Sequence, residues 1–509
     1  MTARVVAVVG GAASGVLVAA NLARGAARER SGAPLDVVVI DPRPDAGRGA
    51  AYGTRDDAHL LNVAAARMSA LPDDPDHFLR WMNTFVRPTA PAAYVPRRLY
   101  GLFLDELLQD AFDGARGRAR LIRIHTRATA VSVAEPDDRR SDHRVAGVPG
   151  HHRVLVRLAT GHWLGADDVV LALGSPGPGT GWAPAELLTC GRFVADPWGT
   201  DLRERIGPAR EQGPTGAEPL PVLLVGSGLT AVDAALTLLA QGHRVRVVSR
   251  HGLLPSVHRP GLPLLGPAPA VPDPLTLESL EQLLANSVRG SMARFGDWRP
   301  GIDALRLVTI ALWDALPTPD RERFVREGAS WWDRHRHRMA PEVGAAIGQA
   351  RADGRLRVQV GQIAWAETAG DRVRVGLMDG STVAAGWVVN CTGPDAPIAH
   401  SADPLVCDLL TTGHSRPGPL GIGLDTAPDS RLIGRSGEPS RALWAIGLLR
   451  KGTLWECIAM PELRVHAARL AEQLLAAAPA RTGGRTGGRD VAGEPDSHPW
   501  AASSSSSLA

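Results

Sequence analysis

Lysine is almost absent from this 509-residue chain: Lys451 is the single one, and the other 55 of its 56 basic residues are arginines. Such a skew is compositional rather than mechanistic. The net charge of +3 is too small for this length to imply nucleic acid or an anionic membrane as a partner. Cysteine is scarce as well. Cys190, Cys391, Cys407 and Cys457 lie at least sixteen positions apart, which excludes a Cys-x-x-Cys zinc knuckle or local redox disulfide and fits a reducing cytoplasm. Long apolar runs are missing too. The stretch Val5–Leu22 could pass for a signal peptide, but one arginine precedes it and glycines interrupt it. No other segment approaches the roughly 18 uninterrupted apolar residues of a membrane span. With 44% hydrophobic and 21% charged residues, the composition is that of a globular chain long enough for two or three domains.

What is present begins at the N-terminus. The apolar run Arg4–Val9 ends at Gly10, small residues follow through Gly11, Ala12, Ser14 and Gly15, an Ala/Leu-rich helix comes next, and a second apolar run closes on Asp41. This is a βαβ unit suited to a dinucleotide. The glycines let backbone N–H groups approach a pyrophosphate, the helix start turns its positive end toward it, and Asp41 can accept from a ribose diol. The expected Gly-x-Gly-x-x-Gly stands here as Gly10-x-Ala12-x-x-Gly15.

A second strand, turn and helix starts at Pro221, with Gly226-x-Gly228-x-x-Ala231 at the turn and Leu229 and Thr230 opening the helix. Its following strand ends in Ser249-Arg250 instead of an acid. An acid there favours NAD; Ser and Arg accommodate the 2′-phosphate of NADP. Each turn is followed, far along the chain, by a strand ending in a small residue, glycine and proline: Asp168–Pro176 and Trp387–Pro394. Between them, Pro260–Gly348 breaks the rhythm with helical stretches and four tryptophans, Trp298, Trp313, Trp331 and Trp332. Pro461 and Glu462 mark the start of a last helix to about Ala477. Asp73, Asp74, Asp76 and His77 resemble a metal cluster, but capping explains them better, with Asp74 as N-cap and Pro75 at the first helical position, so no metal site is expected. Arg97 and Arg98 open another helix, either as phosphate contacts or as a solvated face. Pro136–Gly150 reads as a surface loop, and the Gly/Arg/Ser-rich end beyond Ala480 as disordered.

Two nucleotide turns with two return strands and a C-terminal helix start resemble the two-dinucleotide flavoprotein architecture. More narrowly, Gly47–Gly53, His59–Trp81 and Gly452–Glu462 resemble a bacterial FAD/NAD(P)-binding group related to flavin N-hydroxylating monooxygenases, including aspartate N-monooxygenases that form nitrosuccinate. The resemblance runs from Val5 to Ala477. It implies an α/β fold of two Rossmann-like dinucleotide-binding domains, an FAD domain interrupted by an NADP domain, with a helical insertion. Expected bounds are 1–200 and 386–480 for the FAD domain, 218–385 for the NADP domain with its insertion at about 260–350, and 481–509 for the tail. The cofactors implied are FAD and NADPH, and the partners a small amine or amino acid and O2. By the same resemblance His59, Leu60, Asn62 and Met68 line the flavin ring, Thr453, Trp455 and Glu456 meet it from the other side, and no proton-transferring residue is assigned. Where many relatives have Asp after the last strand's glycine, Leu448 follows Gly447 here, leaving that ribityl contact unassigned. Three alternatives stay open: another flavin monooxygenase, an NADPH-dependent flavin reductase, or a non-catalytic nucleotide-binding subunit. A ketone monooxygenase is disfavoured, because Phe193–Trp198 lacks the Gly and His of its signature.

Overall fold

Apolar, β-branched runs separated by glycine turns build the same unit twice. In the first, β1 (Arg4–Val9), β2 (Leu35–Ile40) and β3 (Ala119–Ile124) lie parallel. An antiparallel insert follows, β4 (Ala128–Val133), β5 (Val154–Leu158) and β6 (Trp163–Ala166), and β7 (Asp168–Leu171) returns beside β1. After β8 (Phe193–Val194), the second unit repeats the plan with β9 (Val222–Val225), β10 (Val245–Ser249) and β11 (Leu356–Val360) parallel. Its antiparallel insert is β12 (Ile363–Ala369), β13 (Arg372–Leu377) and β14 (Thr382–Ala385), and β15 (Trp387–Asn390) returns beside β9. Finally β16 (Arg431–Ile433) and β17 (Pro439–Ala445) rejoin the first sheet. The orders are β16-β17-β7-β1-β2-β3 and β11-β10-β9-β15-β8. This computed structural model describes residues 3–29, 33–133, 153–209, 219–263, 268–394 and 397–477, so the excursion 136–150 and the tail 481–509 lie outside the described residues.

The second unit therefore interrupts the first, as expected, but sheet membership moves two boundaries. Phe193–Val194, expected within 1–200, and Trp387–Asn390, expected to open 386–480, both pair into the second sheet. Short apolar strands look alike in sequence; only long-range pairing assigns them. Both faces of the first sheet are covered, which is why β2 is buried at all six positions and carries no polar alternation. Helices Ala13–Arg28 and Met460–Ala476 pack on one face; the antiparallel insert and helix Pro404–Thr412 cover the other.

The insertion is a run of helices, beginning with Leu277–Phe295, whose capping box of Thr276 and Ser279 starts it and whose left-handed Gly296 ends it. Its core of Leu275, Ile302, Leu305, Leu312, Trp313, Leu316 and Trp332 takes one residue from far away, Trp455. Trp455 adopts a positive φ of 59° and stacks on Trp313 at 4.7 Å, while the Trp313 indole donates to Gly452 O at 2.8 Å. Near the N-terminus, the short helix begins at His77, two residues later than Pro75 implies. Asp74 pairs with Arg80 and Asp73 with Arg24 and Arg28, so these acids neutralise arginines instead of capping.

Because Trp313 joins the insertion to the C-terminal loop from a buried position, Trp313→Ala should lower unfolding free energy by about 3–5 kcal/mol. Denaturant titration checks this, and a loss under about 1 kcal/mol would mean that the two segments are not packed together as described.

Candidate functional site

The first turn is built on close approach. Gly10 holds φ +110°, and a Cβ there would sit 2.2 Å from Ala172 O, the carbonyl at the end of the return strand β7. A Cβ on Gly15 would sit 1.8 Å from Gly10 O, so the helix packs against its own turn only because Gly15 has none. Ala12, extended and just before the helix, occupies the middle position without a clash of its own backbone. Ser14 lies in the first helical turn against Gly447, the end of β17, whose Cβ would meet Ser14 Oγ at 2.9 Å. All three central strands thus converge on one helix N-terminus, an arrangement that fits a pyrophosphate.

Asp41 is more occupied than its expected ribose role implies. Its Oδ2 accepts from Gly11 N at 2.7 Å and its Oδ1 from Arg43 N at 2.9 Å, while the Arg43 guanidinium closes on both oxygens at 3.0 Å. Burial works to raise the carboxyl's pKa, but the hydrogen bonds from Arg43 and Gly11 outweigh it and hold it below the usual value. Arg43, whose side chain is half-exposed, covers the Asp41 carboxylate. Sequence reasoning missed this neighbour of the candidate site; its signal is a guanidinium two positions after the strand-end acid.

The second turn repeats the first. Gly226 holds φ +106°, and its Cβ would sit 2.3 Å from Cys391 O, at the end of the return strand β15. A Cβ on Gly228 would meet nothing within 4 Å, so the backbone there is open to a ligand. Helix Leu229–Ala240 starts at this point, Thr230 Oγ1 accepts from the Trp198 indole at 3.4 Å, and Ser227 ties the turn to Leu253 O at 2.7 Å. Arg250 stands exposed one residue beyond the end of β10. These features fit an NADP-type dinucleotide.

The residues expected around a flavin ring divide differently. Met68 is packed inside the first core at 2% exposure, so it backs the site instead of lining it. His59 is buried and turned toward the second unit, where Nε2 donates to Asp233 O at 3.0 Å and Thr237 Oγ1 at 2.9 Å; its Nδ1 accepts from Thr54 Oγ1 at 2.7 Å. Leu60 packs with the second unit's core. Trp455 and Glu456 face the insertion: Glu456 accepts from the Trp332 indole and pairs with Arg336, both at 3.3 Å. Asn62 and Thr453 remain half-buried. Arg97 pairs with Asp233, and Arg98 pairs with Asp57 at the surface. Arg450, unsuspected from sequence, is buried behind the C-terminal loop with Thr426, Ser430, Ala427 O and Pro428 O as partners, and burial pushes its pKa down to about 10.

Beside Asn62 lies a cluster of charges. Arg306 grips Glu462 with two bonds of 2.5 and 2.6 Å, Arg338 pairs with Asp303, and Arg336 with Glu456. Arg67 faces Arg306, Arg338, Asp303 and Glu462 electrostatically. Arg67 thus meets both guanidiniums and carboxylates. Among the described residues, no three or more His, Cys, Asp or Glu side chains gather as metal ligands, and no helix is long and apolar enough to cross a membrane.

Residues 7–176 match the family described as FAD-NAD(P)-binding. None of the curated proteins matches the chain in sequence. Among solved structures, L-lysine 6-monooxygenase from Pseudomonas syringae is similar with a TM-score of 0.58 at 17% identity, over 94% of this chain and 100% of that one. Ornithine hydroxylase from Pseudomonas aeruginosa gives 0.55 at 13% identity, over 94% and 100%. Bacillithiol disulfide reductase from Staphylococcus aureus gives 0.50 at 10% identity, over 94% and 99%. At these identities the likeness is one of fold, and it places the chain among α/β proteins with two dinucleotide-binding units.

His258 gives the charged cluster a pH signature. Its Nε2 donates to Asn62 O at 2.9 Å, and burial together with Arg338 pushes its pKa down to about 4. The neutral ring is the folded form, whereas the unfolded chain takes up the proton near pH ~6.5, so acidification across that window favours unfolding. Thermal melts between pH 6.5 and pH 4 should show a smaller loss of stability in His258→Gln than in the parent chain; parallel curves would show that this ring does not carry the effect.

Proposed function

We propose that the chain is an FAD-dependent, NADPH-using monooxygenase that hydroxylates the amino group of a small amino acid, L-aspartate being the substrate that the sequence resemblance suggests and nitrosuccinate the end product. The observation that carries this reading is the pair of glycine turns at the ends of two repeated sheets, in a fold shared over nearly its whole length with lysine and ornithine hydroxylating enzymes. When bound, FAD would supply hydride acceptance from NADPH and activation of O2, so that one oxygen atom would go to the amine nitrogen and the other would leave as water, with further rounds needed to reach the nitro level.

The chain's own residues divide the work. Gly10, Gly11, Ala12, Ser14 and Gly15 would cradle the FAD pyrophosphate, with Asp41 and Arg43 at its ribose. Gly226, Gly228, Leu229 and Thr230 would hold NADPH, and Arg250 its 2′-phosphate. Asn62 and Thr453 remain as contacts to the flavin ring. Arg67, beside Arg306 and Arg338, would be the partner for a substrate carboxylate. A dithiol relay has no support: all four cysteines are free, and Cys391 and Cys457 are buried.

The test is oxygen uptake by the FAD-loaded protein with NADPH across a panel of amino acids. Aspartate should raise uptake with little peroxide release, and lysine and ornithine should not; uptake that stays uncoupled with every amine would favour a flavin reductase. Separately, Arg250→Ala should raise KM for NADPH about tenfold to a hundredfold while leaving that for NADH nearly unchanged, as loss of a charge-assisted hydrogen bond predicts. Equal effects on the two would refute the 2′-phosphate assignment.

A further inference from the structure

The seam between the two units carries a polar network that neither nucleotide turn requires. From the first unit come Thr54, Asp56, His59 and Arg97; from the second come Trp198, Arg203, Asp233 and Thr237. Thr54 donates to His59 Nδ1, and His59 Nε2 donates to Thr237 Oγ1 and Asp233 O. Thr237 in turn donates to Asp56 Oδ2 at 2.7 Å, which also holds Arg203 at 2.7 Å. Arg97 closes the other end, with one nitrogen 2.8 Å from Asp233 Oδ2 and Nε donating to Leu60 O at 2.9 Å. Trp198 covers the network, its ring edge-on to His59 at 5.9 Å, while its indole reaches Thr230 in the second nucleotide turn.

Such a network adds little net stability, because burying its charges offsets most of their attraction, but it tolerates only one relative placement of its two halves. Asp233 and Thr237 sit on the very helix whose N-terminus begins at Gly228, so whatever holds these side chains also aims the turn. We infer that this network is a latch that sets the second nucleotide turn against the first, making His59 and Thr237 positioning residues for transfer between two bound nucleotides. The inference rests on the two-nucleotide reading for its kinetic consequence but not for its structural one. The apolar contacts of Leu60 and Tyr94 with the second unit's core supply adhesion without fixing direction, since dispersion contacts slide where hydrogen bonds do not.

Thr237→Val keeps the side chain's volume and removes the hydroxyl that joins His59 to Asp56. In the full-length FAD-loaded protein, amide exchange within 54–60 and in the first turns of Leu229–Ala240 should rise about tenfold or more. Reduction of bound FAD by saturating NADPH should slow about tenfold or more, with KM for NADPH changed far less, because misplacement costs transfer more than binding. Thr237→Ser, which retains the hydroxyl, should restore both. Exchange that matches the parent chain, or a rate unaltered in Thr237→Val, would overturn the latch. If Thr237→Val does not fold, Arg203→Gln removes the half-exposed ion pair of Asp56 and is read by the same exchange measurement. A parent chain whose flavin NADPH cannot reduce would count against the two-nucleotide reading instead, while the exchange comparison still decides on the latch.

Discussion

Two glycines without side chains hold a carbonyl each, and the rest of the molecule is arranged around that contact. Where Gly10 meets Ala172 O, and again where Gly226 meets Cys391 O, a methyl group would fall at 2.2 and 2.3 Å. The strand, the turn, the helix start and the returning strand can therefore come together at one point only if that point is glycine. In both units the returning strand arrives after a long excursion through an antiparallel insert, so the contact also closes a loop of well over 100 residues. The local backbone angle and the long-range topology are one constraint.

Around that constraint, apolar and polar contacts do different jobs. The two sheets and their helices are held by buried Val, Leu and Ala, a non-directional term roughly proportional to area. The seams are held by arginine: Arg97 and Arg203 between the units, Arg306 and Arg336 between the insertion and the C-terminal segment. Planar guanidiniums with several fixed donors suit this task, since each can bind two acceptors in one orientation. Arg450, buried, carries the same logic further by taking the hydroxyls of Thr426 and Ser430 and two backbone carbonyls as hydrogen-bond partners.

The insertion and the last loop then form a third body of contacts. Trp455 reaches into the helical core, Glu456 takes Arg336, and Glu462, at the start of the last helix, takes Arg306. The start of the last helix is thus also the anchor of the insertion. The segment that completes the first sheet through β17 and the segment that carries the tryptophans are bound to move together.

Much of this was legible in the linear chain. Both glycine turns, both return strands, the interruption of one unit by another, the helical insertion and the C-terminal helix follow from patterns within a few residues, because φ preference, helix periodicity and capping are local properties. Partners are not local. Nothing near His59 in sequence shows that its imidazole bonds Thr237, and nothing near Trp455 points to Trp313. The sequence by itself determined where the backbone must turn and where a nucleotide's phosphates have room, since those depend on residues lacking a side chain. Which sheet Phe193 and Trp387 join, and which charged groups face each other across the seams, only the tertiary structure decided, because pairing energy depends on neighbours brought together from more than 100 positions away.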